Sequence, residues 1–258
     1  MSATPVVFIH GMYMTGLCWE HWLARFESSG RSCSAPNWPG RDLPVDEQRK
    51  LHPDQTLGAL TLRKVVEHLS KIVAGISPKP VAIGHSMGGL VVQLLLQKDL
   101  VSAGVAIDSA PPAGVLAASW SFLKSNWPHI TPFKPIDQPI EMTFPRFQYT
   151  FVNGLPREEQ QTAYRRYVVP ESRRVPRESL GARVDFKKQR PPLLLVGGSS
   201  DHIVPAKVTR RNYAKYRGNK SSATDYEEFP GRTHFIIGQT NWEEVADKVM
   251  AWITEKGL

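Results

Sequence analysis

The stretch "VAIGHSMGGLVVQLLL", residues 81–96, sets an apolar strand pattern directly against an apolar helix pattern, with a serine at the seam. Val81, Ala82 and Ile83 read as the end of a buried strand, while Leu90, Val91, Leu94 and Leu95 recur at helical spacing, so Ser86 falls on the connecting turn. Gly84 and Gly88 flank it in the pattern G-x-S-x-G. Two glycines leave room for a sharply bent backbone that exposes the hydroxyl. A serine that merely capped the helix would explain the residue type but not both glycines.

Outward from this seam, further apolar runs predict strands at Val6–Ile9, Ser32–Ala35, Gly104–Ile107, Leu193–Val196 and Tyr226–Phe229. Helical patterns alternate with them. Trp19, Trp22, Leu23 and Phe26 fit one amphipathic helix; Leu62, Val65, Val66, Leu69, Ile72 and Val73 fit another, opened by Thr56. The last helix is capped by Thr240, with Glu243 three residues on, and stops at Gly257. Such alternation predicts an α/β fold: a mostly parallel six-stranded sheet with helices on both faces.

One segment breaks the rhythm. Residues 111–192 hold 12 of the 21 prolines together with eight Trp, Phe and Tyr residues beginning at Trp120 and ending at Phe151, and no good strand candidate. Proline fixes φ and removes a backbone donor, so short helices and turns are expected there. The segment reads as a mainly helical cap inserted after the fourth strand, with residues 1–110 and 193–258 forming the core domain.

A serine hydroxyl is a weak nucleophile without a base, so Ser86 calls for a histidine oriented by a carboxylate. Asp201 follows "PLLLVGGSS" at the carboxyl end of a strand, and His234 follows "EEFPGRT" just past another. Catalytic groups gather at those ends in open α/β sheets, and the order Ser, Asp, His suits this architecture. Asp108, which ends "GVAID", is the rival acid, although its position also suits a bond to backbone at the entrance to the cap. A tetrahedral oxyanion needs two donors, for which the backbone N–H groups of Met87 and of Met12, in "HGMYMTG", are the candidates. Met12, Tyr13, Met87 and Phe235 border the centre and are mostly apolar, and the cap aromatics Trp120 and Trp127 are candidates to roof it. An apolar acyl or alcohol group is therefore expected.

Composition removes other classes. No apolar run approaches the roughly 18 residues of a membrane span, and "MSATPVVFIHG" carries no charged leader region, which points to a cytoplasmic protein. The formal charge is +8, and residues 111–192 carry 13 Lys or Arg against 7 Asp or Glu. Solvated helix faces account for such a run, and no nucleic-acid module motif accompanies it. Cys18 and Cys33 are too few and too far apart for a disulfide framework or a metal site and read as buried free thiols.

The ordered motifs "VVFIHG", "GHSMGGL", "VAIDSAPP", "LLLVGGSSDHIVP" and "FPGRTHF" resemble the α/β-hydrolase superfamily over nearly the whole chain. The likeness is to its compact branch of small esterases, methylesterases and hydroxynitrile lyases. It implies Ser86 as nucleophile, His234 as general base and then acid, Asp201 as its orienting partner, and Met12 and Met87 as the oxyanion hole. Neither cofactor nor metal is implied. Dehalogenases and epoxide hydrolases of the superfamily carry aspartate at the nucleophile position, and lyases of this branch carry a lysine where Phe235 stands, so the resemblance favours a serine carboxylesterase or lipase acting on a small-molecule ester. A C–C bond or lactone hydrolase with the same triad, and a ligand-binding receptor on this fold, are the alternatives.

Overall fold

The structure, a computed structural model, describes residues 3–117 and 120–258. Six strands, β1 (Val6–Ile9), β2 (Cys33–Ser34), β3 (Val81–His85), β4 (Ala103–Ile107), β5 (Leu193–Gly198) and β6 (Thr224–Phe229), form one sheet in the order β2-β1-β3-β4-β5-β6. Every pairing is parallel. Parallel strands need crossovers, which are supplied by α1 (Glu20–Ser28), α2 (Val45–Lys50), α3 (Gln55–Gly58), α4 (Leu62–Ala74) and α5 (Met87–Gln97), and between β5 and β6 by the helix Ala206–Tyr216.

Alternation along the strands sends successive side chains to opposite faces. Val6, Phe8, Val81, Ile83, Val105 and Ile107 pack with Trp19, Trp22 and Phe26 and with Val245, Val249 and Trp252 of α11 (Trp242–Glu255). Val7, Ile9, Ala82, Ala106 and Leu195 pack instead with α4, α5 and Tyr216 of α10 (Ala206–Tyr216). Burial on both faces is why these strands read as continuous apolar runs rather than as alternating ones.

Boundaries differ from expectation at helix starts. Thr61, not Thr56, caps α4 by accepting from Lys64 N, whereas Thr56 lies in the separate turn α3 behind its own cap, Asp54. Thr240 lies one residue before the α11 cap position, where Asn241 has φ 61°, and bonds Glu159 through both its N–H and its hydroxyl. A long-range acceptor thus outcompetes the local one. Cys18 is buried as expected, while Cys33 is only half-buried.

Between β4 and β5 lie α6 (Trp120–Ile130), α7 (Phe144–Thr150), α8 (Arg157–Tyr167) and α9 (Arg174–Ser179), along with one antiparallel bridge, Ile140 to Glu171. These helices are tied to the loops at the carboxyl edge of the sheet. Val169 N–H donates to Tyr13 O after β1, Ser125 Oγ to His202 O after β5, and Phe235 N–H after β6 to Phe151 O. The strand order reverses between β1 and β3, and ligands of open α/β sheets bind outside the carboxyl edge at such a reversal.

Candidate active site

Ser86 follows β3 with φ 56° and ψ −119°, a conformation L-residues rarely adopt, and opens α5. Its glycine neighbours are steric necessities. A Cβ on Gly84 would stand 2.3 Å from Gly88 O, and one on Gly88 would stand 2.2 Å from Ile9 O, so the turn can press against itself and β1 only when both are glycine.

His234 Nε2 lies 2.9 Å from Ser86 Oγ, and His234 Nδ1 lies 2.6 Å from Asp201 Oδ2. His234 and Asp201 are buried, and the serine is nearly so. Their supports come from different elements. Asp201 Oδ1 accepts the N–H groups of Ile203 and Val204, at 2.6 and 2.9 Å, which pins the carboxylate with its second oxygen toward the histidine. His85 Nε2 meets His234 O at 2.7 Å, and the Phe151 ring stands edge-on to the His234 ring at 4.9 Å. Gln239 Oε1 accepts both the N–H and the hydroxyl of Thr233, closing the loop that carries the histidine.

Asp108, the rival acid, bonds backbone, since its Oδ1 accepts Gly198 N–H at 2.7 Å. Burial, and then the negative charge of Asp201, push its carboxyl well above the usual carboxylate range. Ligand atoms of His85, Asp108 and His234 come within 4.8 Å of one another. Both ring nitrogens of His234 already face Ser86 and Asp201, so the cluster belongs to this hydrogen-bonded array rather than to an open ligand set.

The loop after β1 passes beside the serine; a Cβ on Gly11 would meet Ser86 Cβ at 2.8 Å. His10 shapes it. Trp38 N–H donates to His10 Nε2 at 3.1 Å, which leaves the proton on Nδ1 to bond Gly11 O at 2.8 Å. Burial, with Arg41's charge adding to it, lowers His10 to about 3 against the pull of that carbonyl. Below pH 6.5 the unfolded chain binds a proton at this site that the folded chain refuses, so stability falls as pH drops from 6.5 toward 3. Relative to His10→Gln, the wild type is expected to lose about 1.4 kcal/mol per pH unit over that window, read from urea midpoints at pH 7 and pH 5.5.

Tyr13, with φ 63°, is held in this conformation from across the chain. Its N–H donates to Glu171 Oε2 at 3.1 Å, and the same carboxylate pairs with Arg41 at 2.6 Å, both side chains being wholly buried. Among the described residues, Met12 N–H has no hydrogen-bond partner, and Met87, as the first residue of α5, has no intrahelical acceptor for its N–H. Both residues line the same cavity as Ser86.

That cavity is lined largely by apolar side chains, among them Ile130, Met142, Phe151, Ile203 and Val204. Tyr13 is part of the wall, as are Met12 and Met87, but Trp120, Trp127 and Phe235 are elsewhere. Trp120 is 79% exposed and Trp127 51%, on the outer side of α6, and neither lines the cavity. Pro128 and helical spacing in α6 turn His129 and Ile130 inward instead. Phe235 is buried against Tyr167 and borders a separate surface groove with Arg166 and Trp242. Sequence reasoning missed His129, Phe151, Arg41 and Glu171, none of which carries a local motif.

A model of the alpha/beta hydrolase family matches residues 6–248. The chain belongs to that family. Among solved structures, this hydrolase resembles a methylesterase from Arabidopsis at TM-score 0.72 and 12% identity, covering 98% of this chain and 99% of that one. It also resembles a polyneuridine aldehyde esterase, at TM-score 0.69 and 16% identity over 96% and 99% of the two chains. A monoacylglycerol lipase from Paleococcus ferrophilus gives TM-score 0.66 and 19% identity over 98% and 96%. Identities this low bear on the fold alone. No curated protein matches the sequence. Among the described residues, no helix is long and apolar enough to cross a membrane.

Proposed function

We infer that this hydrolase cleaves carboxylic esters of small molecules through an acyl-enzyme on Ser86. The observation that carries the reading is the continuous line from Ser86 Oγ to His234 Nε2 and from His234 Nδ1 to Asp201, with 2.9 and 2.6 Å steps. His234 takes the serine proton as Oγ attacks the ester carbon, and Asp201 holds the imidazole in the tautomer that can accept it. Met12 and Met87 N–H groups receive the carbonyl oxygen as it becomes negative. The alkoxide leaves with the proton from His234. Water then attacks the acyl-enzyme by the reverse sequence, releasing the acid and restoring the serine.

The apolar cavity wall supports an apolar acyl or alcohol portion, and residues 111–192, which carry much of that wall, act as its cap. The test is hydrolysis of p-nitrophenyl esters from acetate to palmitate, with Ser86→Ala beside the wild type. Turnover is expected to fall at least a thousandfold in the variant, with the chain-length optimum sizing the cavity. Equal rates in both proteins overturn the assignment of the nucleophile, and inertness of the wild type toward every ester overturns the esterase reading in favour of a C–C bond or lactone substrate.

A further inference from the structure

The cavity beside Ser86 is apolar except at one corner. Most of its polar side chains have turned away from it to nearby backbone. Ser125 Oγ donates to His202 O, Thr150 Oγ1 to Arg146 O, Ser179 Oγ to Pro176 O, and the Asn126 amide to Phe122 O and Ile203 O. Among the described residues, two buried atoms in the wall remain without partners: the Tyr13 hydroxyl and His129 Nε2. The residues are 2% and 6% exposed, and their rings lie 5.3 Å apart. A buried polar atom left unpaired is costly, so two on adjoining rings in a substrate cavity indicate where a ligand atom belongs.

The chemistry of that atom follows from the protons. Arg146 Nη2 approaches His129 Nδ1 at 3.5 Å, and a guanidinium can only donate, which favours the tautomer with the proton on Nε2. Burial, followed by Arg146's charge, lowers His129 to about 3 against a backbone bond to Asn126, so the ring is neutral at pH 7. Burial also raises the Tyr13 phenol, which keeps its proton. The corner therefore offers two neutral donors. Arg146 and Arg173 lie near enough for their charges to act on Tyr13, opposed by Glu171, whose carboxylate is itself paired with Arg41. Such a corner suits an oxygen acceptor and disfavours a donor or a cation.

We propose that Tyr13 Oη and His129 Nε2 form a polar subsite for a second acceptor oxygen, a ketone carbonyl or a carboxylate, on the acyl group of the ester. The subsite rests on the esterase reading for its place in turnover, but not for its ability to bind. It narrows the substrate class from apolar esters to keto esters or half-esters of dicarboxylic acids whose remaining carbon skeleton is apolar.

Four p-nitrophenyl esters of equal chain length test this: hexanoate, 4-oxohexanoate, 5-oxohexanoate and the adipate half-ester. At least one oxygenated ester is expected to exceed hexanoate about tenfold in kcat/KM, chiefly through KM, with the gain lost in both Tyr13→Phe and His129→Leu. Preference for an oxo ester identifies the ketone as the group bound, and preference for the half-ester identifies the carboxylate. Four equal specificities, or a gain that survives in Tyr13→Phe, overturn the subsite. Calorimetric titration of Ser86→Ala with hexanoic, 5-oxohexanoic and adipic acids separates this from the esterase reading. Tighter binding of an oxygenated acid by a protein whose wild type turns over no ester leaves the subsite standing and removes the esterase, whereas ester turnover with flat binding does the reverse.

Discussion

Asp201→Asn is expected to lower kcat for ester hydrolysis about ten-thousandfold, while Asp108→Asn stays within about tenfold of wild type. The two carboxyls end neighbouring strands, and both are buried, so position alone does not separate them. Their partners do. Asp201 faces His234 at 2.6 Å and takes two backbone N–H groups on its other oxygen, which stabilise the anion. An amide there would present its NH2 to His234 and favour the tautomer unable to accept the serine proton. Burial and the charge of Asp201 push the Asp108 carboxyl upward, toward the protonated form that asparagine resembles: the amide oxygen can accept Gly198 N–H and its NH2 can donate to Asp201. Single-turnover rates on a p-nitrophenyl ester at pH 7.5 for the two variants decide the matter. Equal losses would mean that the buried pair works as one unit and that the division of roles drawn here is wrong.

Glu171→Ala is expected to remove about 3–5 kcal/mol of stability, because it strands the wholly buried Arg41 guanidinium without a counter-charge. At roughly 2–4 °C per kcal/mol for a chain of this size, Tm should fall by about 10 °C. Replacing both partners, as Arg41→Met with Glu171→Leu, is expected to recover most of that loss, since a buried ion pair gains little over apolar side chains of similar volume. Recovery of activity should not accompany it. Glu171 also accepts the Tyr13 N–H, and that bond holds the left-handed turn next to Met12. With the acceptor gone, the Met12 N–H proposed as an oxyanion donor loosens, and kcat is expected to stay at least tenfold below wild type. A double variant with full kcat would show that the turn needs no such tie.

The exposed apolar face of α6 and its flanks lies outside both arguments. Trp120, Leu123 and Trp127 recur at helical spacing on that surface, and in the sequence Trp120 and Trp127 stood as pocket candidates only as aromatics of the cap segment. A period tells which residues share a face, but not whether the face turns inward. Tertiary packing turned that face out and directed Tyr13, His129 and Phe151 to the cavity instead.

From the sequence alone, the order of strands and helices could be read, because double-sided burial of parallel strands and single-sided burial of helices leave periods of their own. The same local rules placed Ser86 on a glycine-flanked turn, and placed Asp201 and His234 after strands at the carboxyl edge, where parallel pairing brings the three together. What the cavity recognises, and what holds its rim, were decided only by the folded chain. Arg41 and Glu171 are 130 residues apart, and Tyr13 and His129 more than a hundred. Neither pair has a spacing rule, because its members meet through a proline-rich segment whose path is set by long-range bonds rather than by any repeating pattern. The upward shift of the Asp108 carboxyl likewise exists only once the fold buries it beside Asp201.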